Sequence, residues 1–172
     1  MLGKRRFTAA IAAVLGFLAL APLPALALGT VVETRDGYAA GTILIRTHER
    51  RLYLFLGTGR AIRYPVGVGR PGMQWSGRTS ISGKYVHPAW SPPASIKREN
   101  PRLPNLIRGG SRHNPMGVAA MTLSGTQYAI HGTNQPRLIG GFVSHGCIRM
   151  YNADITDLYS RVSVGTTVVV TR

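Results

Sequence analysis

Cysteine is almost absent from this 172-residue chain, which contains a single one, Cys147. One cysteine excludes an internal disulfide and a multi-cysteine zinc site. A lone thiol of this kind is a buried residue without a chemical role, half of an intermolecular disulfide or a reactive nucleophile. The number of cysteines leaves all three interpretations open.

Acidic residues are scarce as well, with six Asp and Glu against 21 Lys and Arg and a formal net charge of +15. This balance predicts an anionic partner, which could be nucleic acid, phospholipid, a wall polymer or an acidic peptide. Hydrophobic residues make up 44% of the chain, which excludes wholesale disorder. The length suits one domain with its own core.

Residues 1–27 have the pattern of a secretory signal peptide. Three basic residues within positions 1–6 precede an uncharged apolar run at 7–20, and Ala-Leu-Ala at 25–27 provides a small-residue exit. We predict cleavage after Ala27. An uncleaved membrane anchor is the alternative, which the two prolines at 22 and 24 disfavour.

The remaining chain is predicted to consist mainly of strands. The β-rich runs lie at 42–46, 51–56, 61–68, 81–86, 118–123, 127–130 and 166–171. One helix is predicted behind Asn152 as its N-cap, because apolar residues from Ile155 to Val162 recur at helical spacing. The fold class is therefore mainly β, a compact sandwich-like or barrel-like domain with one or two short helices.

Residues 88–117 interrupt this pattern. They hold five prolines after Pro88 and five basic residues against one acid, Glu99. Some 30 residues are long for a structureless loop in a compact domain, so the segment is either disordered or folds over something as a lid. We predict an ordered excursion, because Trp90 and Leu103 give it material to pack with.

The candidate chemistry converges on residues 131–149. His131-Gly132-Thr133-Asn134 follows a predicted strand, and Ser144-His145-Gly146-Cys147-Ile148-Arg149 comes ten residues later. A neighbouring imidazole could take the proton of the Cys147 thiol and leave an ion pair, and either His131 or His145 could supply that imidazole. Because residues 100–153 contain no Asp or Glu, a backbone carbonyl or a Ser or Asn side chain would have to orient the base.

Acyl transfer also needs donors for a developing oxyanion. Backbone amides in the turn before Cys147 could supply them, and Gly146 leaves room for a substrate. Arg149 would offer a fixed fork for a carboxylate.

Less specific interpretations of the same residues stay open at this stage. Cys147 could be a small buried hydrophobe among satisfied core histidines, and Arg149 could be a solvated charge or a structural partner of Asp154. A mononuclear metal site is also chemically possible. Its ligands would come from His131, His145, Cys147 and His113.

The string at 131–159 resembles the signature of the L,D-transpeptidase catalytic domain, also called the YkuD domain. The matching residues are His131, Gly132, Ser144, His145, Gly146, Cys147, Arg149, Met150 and Asp154. Patches at 64–69, 88–93 and 114–117 also look like family motifs, so the resemblance predicts a catalytic domain at 40–171. Residues 75–83 depart from the family pattern, which puts the early substrate-facing loop in doubt.

The resemblance implies a β-sandwich-like fold with a lid that includes part of 88–117, and it implies roles for individual residues. Cys147 would be the nucleophile and His131 the general acid/base, oriented by the carbonyl of Gly132. Backbone amides of His145, Gly146 and Cys147 would form the oxyanion hole. Substrate-binding or supporting positions would be Ser144, Arg149, Thr133, Asn134 and Trp90. No metal or organic cofactor is expected.

The implied activity is remodelling of peptidoglycan by an exported enzyme in the periplasm or cell wall. The thiolate would attack a tetrapeptide stem, release D-Ala and form a thioester. The acceptor would be an amine of another stem or of a wall-anchored protein, or water, which would make the protein an L,D-carboxypeptidase. Carbapenem-type inhibitors are expected to acylate the thiol, and nucleic acid is not an expected partner. The alternative from another class is a non-catalytic cationic protein that binds the wall.

Overall fold

The computed structural model describes residues 29–172. The predicted signal peptide and its cleavage site lie outside these residues. Within the described range, none of the helices has the length and apolar character that crossing a membrane requires.

Strands dominate the described chain. They are β1 (Thr30–Glu33), β2 (Ile43–Arg46), β3 (Arg51–Gly57), β4 (Arg60–Pro65), β5 (Val68–Gly69), β6 (Gly77–Val86), β7 (Ala119–Leu123), β8 (Ala129–His131), β9 (Phe142–Ser144), β10 (Ile148–Arg149) and β11 (Thr167–Thr171). Two α-helices, α1 (Ala94–Glu99) and α2 (Asn152–Arg161), and a 3₁₀ helix at Pro136–Leu138 complete the described elements. The mainly β prediction is confirmed.

Strand β6 joins two halves of one nine-stranded sheet, whose order is β1-β4-β3-β2-β11-β6-β7-β8-β10. Its first residues pair antiparallel with β11, from Gly77 opposite Val170 to Ser80 opposite Thr167. Its later residues pair antiparallel with β7, and the register shifts between Ile81 and Gly83. A long strand with such an irregularity can serve two sheets at a bend. The separate pair β5–β9 is parallel.

One hydrophobic core draws side chains from both halves of the sheet and from α2. Ile155 and Leu158 of α2 are fully buried, and each contributes roughly 1.5–3 kcal/mol by leaving water. The hydroxyl of Tyr64, itself buried on β4, donates to Asp157 of α2 at 2.6 Å. These contacts hold α2 against the sheet.

Several boundaries differ from the sequence-based expectation. The predicted strand at 61–68 is two strands, because β4 ends at Pro65 and β5 starts at Val68. Asn152 is not the N-cap of α2, since Tyr151 takes that position and Asn152 is the first helical residue. Strands β1, β9 and β10 were not predicted. The last two are only three and two residues long, too short for a detectable alternation.

Residues 88–117 are an ordered excursion, as predicted, and we call them the lid segment. The segment contains α1 and a backbone bridge in which Trp90 and Ile107 exchange hydrogen bonds of 2.9 and 2.8 Å. Asn114, only 1% exposed, donates from Nδ2 to the carbonyls of Pro88 and Arg108, at 2.8 and 3.2 Å. Both ends of the segment are therefore fastened to each other.

Candidate active site

A parallel pair of short strands places the candidate residues on one face. In this pair, Ile148 of β10 lies opposite Ile130 of β8, and Arg149 lies opposite His131. Cys147 immediately precedes β10. Since side chains alternate along a strand, His131, Arg149 and Cys147 project to the same side. His131 and Cys147 are therefore diagonal neighbours across the pair.

His131 is oriented by backbone carbonyls. It is 3% exposed, and its Nδ1 lies 2.7 Å from the carbonyl oxygen of Gly132. Nδ1 therefore carries the proton in the neutral ring, and Nε2 is the basic nitrogen. Burial, followed by the charge of Arg149, lowers the pKa of His131 to about 4, although the carbonyls of Gly132 and Pro115 favour the protonated ring. The imidazole is neutral at neutral pH.

Burial also favours the neutral form of the Cys147 thiol. Burial raises the pKa of Cys147 above its ordinary value, against a backbone hydrogen bond from Ala129 and the charge of Arg149. With the thiol pKa raised and the imidazole pKa lowered, the resting pair is neutral rather than an ion pair. A neutral imidazole next to a neutral thiol has the protonation state that general-base chemistry requires.

The turn before Cys147 is held by side chains on both sides. The hydroxyl of Ser144 accepts from the amide of Gly146 at 3.0 Å and donates to the carbonyl of Cys147 at 2.6 Å. The indole Nε1 of Trp75 donates to the carbonyl of Gly146 at 2.9 Å. Because the Gly146 amide is engaged inside the turn, the amides of His145 and Cys147 remain as candidate oxyanion donors.

Glycine is required at position 146 on two grounds. Its φ is +120°, a conformation that side chains strongly disfavour. A Cβ at this position would also collide with the ring of Tyr128. That ring stacks on Trp75 with centroids 5.3 Å apart and an interplanar angle of 19°.

The structure separates the two histidines that the sequence left as alternative bases. The side chain of His145 reaches Glu99 of the lid segment, with 2.9 Å between Nε2 and Oε2. The other carboxylate oxygen of Glu99 accepts from Arg70 at 2.6 Å. His145 therefore connects residues 144–149, which we call the catalytic turn, to the lid segment, and His131 is the histidine on the thiol's face.

Arg149 lies in the interior of the site. Burial lowers its pKa, while the neighbouring Cys147 raises it. Its backbone is tied to Gly67 by two hydrogen bonds of 2.8 Å. The suggested pairing with Asp154 is wrong, because neither carboxylate oxygen of Asp154 nor Nε of Arg149 has a hydrogen-bond partner within residues 29–172. Burial raises the pKa of Asp154 to about 7.

The proposed metal ligands do not form a metal site. Across residues 29–172, no three His, Cys, Asp or Glu side chains are arranged to hold an ion. His113 is exposed in the lid segment and accepts from Arg112.

The remaining predicted positions lie around the edge of the site. The Thr133 amide donates to Oδ1 of Asn152 at 3.0 Å, and the Thr133 hydroxyl accepts from the amide of Gln135. Asn134 is exposed and donates to the carbonyl of Arg112 at 3.3 Å. Trp90 belongs to the lid segment. A cavity of about 670 Å³ lies between the lid and α2, where Thr133 and Asn134 line it but Cys147 and His131 do not.

Sequence reasoning missed four residues that shape the site. Trp75 and Tyr128 brace the catalytic turn, Asn152 holds the loop after His131, and Glu99 links the lid to His145. Only the departure from the family pattern at 75–83 drew attention to Trp75, and it was interpreted as a substrate-facing loop. The Trp75–Gly146 contact spans 71 residues, so no local pattern indicates it.

Comparison with known proteins identifies similar chains. Residues 40–170 match the family model of the L,D-transpeptidase catalytic domain, YkuD. The chain is 40% identical over 135 residues to the probable L,D-transpeptidase YbiS of Escherichia coli strain K12, which covers 73% of this chain and 43% of that protein. It is 39% identical over 135 residues to the probable L,D-transpeptidase ErfK/SrfK of Salmonella typhimurium, over 73% and 42% of the two chains. The chain thus spans less than half the length of these curated relatives.

Solved structures share the fold. The catalytic domain of an E. faecium L,D-transpeptidase acylated by ertapenem aligns with a TM-score of 0.58 and 18% identity, over 78% of this chain and all of that one. L,D-transpeptidase 3 from Mycobacterium tuberculosis aligns with a TM-score of 0.60 and 15% identity, over 76% of this chain and 60% of that one.

Proposed function

This chain belongs to the L,D-transpeptidase catalytic domain family, and we propose that it is an exported enzyme that transfers an acyl group between peptidoglycan stem peptides. One observation carries the proposal. The only cysteine of the chain and a buried histidine, oriented by the Gly132 carbonyl, share one face of a strand pair. A structural cysteine would need no such partner, whereas a thiol nucleophile requires a positioned base.

Acylation begins when Sγ of Cys147 attacks the carbonyl carbon between the diamino acid at position three and the terminal D-Ala of a tetrapeptide stem. Nε2 of His131 takes the thiol proton, a carbon–sulfur bond forms, and the carbonyl electron pair moves onto oxygen. Collapse of this oxyanion breaks the carbon–nitrogen bond. D-Ala leaves with the proton from His131, and a thioester remains on Cys147.

Transfer repeats these steps in the opposite direction. The amine of an acceptor attacks the thioester carbonyl and gives a proton to His131. The carbon–sulfur bond then breaks, the new amide forms, and the proton returns to the Cys147 sulfur. The acceptor is an amine of a second stem or of a wall-anchored protein, and water in its place would make the enzyme a carboxypeptidase.

Location in the periplasm or cell wall is part of the proposal. Support comes from the signal-peptide pattern of residues 1–27 and from the net charge, +15 for the full chain and +12 without its three N-terminal basic residues, which suits a wall whose stems carry free carboxylates. The mass of the protein recovered from the envelope of expressing bacteria tests this location. Loss of residues 1–27 is the expected result, and a full-length product confined to the cytoplasm would contradict it.

The deciding experiment is incubation of the protein with a disaccharide-tetrapeptide, followed by mass spectrometry of the products. A dimer that has lost one D-Ala indicates transpeptidation, and a disaccharide-tripeptide indicates hydrolysis. Cys147→Ala is the matched control and should give neither product while remaining folded. Products that persist in this variant would contradict the thiol mechanism.

A second measurement asks whether the thiol acylates. Incubation with ertapenem should add the mass of one inhibitor molecule to the wild type and none to Cys147→Ala. An unmodified wild-type protein under these conditions would count against the proposed function. It would then favour a wall-binding role, for which binding to sacculi should persist in Cys147→Ala and weaken with salt.

A further inference from the structure

We propose that Trp75 is a positioning residue that aims the backbone N–H of Cys147 at the oxyanion formed during acylation. This inference rests on the proposed acyl-transfer function. Trp75 belongs to the 75–83 segment, where the sequence departs from the family pattern, and its indole makes a direct contact with the catalytic turn.

One peptide unit joins Gly146 to Cys147 and contains the carbonyl that Trp75 binds. The C=O of Gly146 and the N–H of Cys147 belong to one planar trans unit, in which they point in opposite directions. Nε1 of Trp75 donates to this carbonyl at 2.9 Å. Holding the carbonyl on the Trp75 side therefore directs the Cys147 N–H to the opposite side.

Ser144 restrains the peptide groups on either side of that unit. Its hydroxyl accepts from the Gly146 amide and donates to the Cys147 carbonyl. Rotation of the peptide unit between Gly146 and Cys147 would change ψ of Gly146 and φ of Cys147, while the groups bound to Ser144 stay fixed. Gly146 has a φ of +120° and no side chain to resist rotation, so the indole bond is the contact that selects one orientation.

The indole is itself supported. Its ring stacks on Tyr128, which leads into β8 and also covers the α-carbon of Gly146. Trp75 and Tyr128 both pack against the main hydrophobic core. The donor is therefore fixed by buried surface, as a preorganised oxyanion site requires.

The test separates oxyanion stabilisation from general damage to the site. Acylation by ertapenem develops a charge on oxygen, whereas alkylation of Cys147 by iodoacetamide is a direct displacement that develops none. Trp75→Phe keeps an aromatic ring against Tyr128 and removes the N–H. It should slow acylation about tenfold to a hundredfold and leave the alkylation rate and its pH profile unchanged.

Two further variants serve as a control and as a shape-preserving replacement. Tyr85→Phe changes an exposed aromatic side chain on β6 and should match the wild type in both reactions. If Trp75→Phe lowers the melting temperature enough to prevent the assay, benzothienylalanine at position 75 keeps the shape of the indole and replaces its N–H with sulfur. It should show the same selective loss.

Every outcome is informative. Unchanged acylation in a folded variant without the N–H would overturn the inference, and so would an equal loss of acylation and alkylation. A wild-type protein that ertapenem does not acylate would instead refute the proposed function, and the inference with it.

Discussion

The catalytic turn, residues 144–149, and the lid segment, residues 88–117, are held by contrasting kinds of contact. Ser144 is buried, and the bonds to Gly146 and Cys147 come from neutral donors at the edge of the core. The lid reaches the turn through Glu99, whose carboxylate is about half exposed and pairs with Arg70 and His145. Buried bonds resist exchange with water, whereas exposed ion pairs are worth little. The turn that carries Cys147 is therefore held by buried bonds, whereas its link to the lid segment is exposed to water.

The two regions also treat charge differently. The lid segment carries five basic residues, while the reacting pair beneath it is kept neutral by burial. A cationic segment attracts anionic ligands, and a neutral thiol is less reactive than a thiolate.

The largest effect is expected at the base. His131→Gln removes the proton acceptor and should slow acylation by ertapenem about a thousandfold, since general bases contribute about 10²–10⁴-fold. Stopped-flow fluorescence or time-resolved mass spectrometry measures the rate, and a thermal melt establishes that the variant folds. A loss below tenfold in a folded variant would show that His131 is not the base.

The neutral resting pair predicts a specific pH dependence. Because the pKa of Cys147 is raised, its thiolate fraction at neutral pH is smaller than that of a free thiol. Its alkylation by iodoacetamide should therefore rise about tenfold per pH unit from pH 6 to 8. Because the pKa of His131 is about 4, no plateau should appear in this range. A plateau between pH 5 and 8 would instead indicate a thiolate–imidazolium pair.

Cys147 and His131 could be found from the sequence because each lies in a short contiguous motif. The choice between His131 and His145 needed the structure, since it depends on which way the turn at Gly146 points each side chain. Trp75, Tyr128 and Asn152 act through contacts between distant segments, which leave no periodic signal. These residues became visible only when the sheet brought the segments together.

The strands differ in the same way: some could be predicted from local sequence and others depend on distant segments. Strands β2, β3 and β11 were predicted because their apolar residues are numerous and continuous. Strands β9 and β10 were missed because segments of two or three residues become strands only through their partners, β5 and β8. The active site lies on these short strands, so its architecture was the least predictable part.

An intermediate effect is expected when Asn114 is replaced, because its side chain connects the two ends of the lid segment. Asn114→Ala leaves the Pro88 carbonyl without this buried donor and removes one of the two bonds to the Arg108 carbonyl, which costs about 1–3 kcal/mol. Hydrogen exchange in residues 88–117 should accelerate, while the core strands keep the wild-type rate. Asn100→Ala is the control, because Asn100 is exposed in the same segment and accepts one bond of 3.3 Å. Equal exchange in the two variants would place the fastening elsewhere.

The smallest effect is expected at the contact that joins the two regions. Glu99→Gln keeps the size of the side chain, removes its charge, and replaces one of the two carboxylate oxygens that pair with Arg70 and His145 by an NH2 donor. Since exposed pairs are weak, acylation should change only about twofold to fivefold.

Salt provides an independent check on that contact. Salt screens an exposed ion pair. Raising the salt concentration should therefore move the acylation rate of the wild type toward that of Glu99→Gln and change the rate of the variant less. The difference between the two salt responses isolates the Glu99 pair, because every other charge of the lid is common to both proteins. Parallel salt responses would mean that the lid is held by Asn114 and packing alone, and that its charges act on the substrate rather than on the turn.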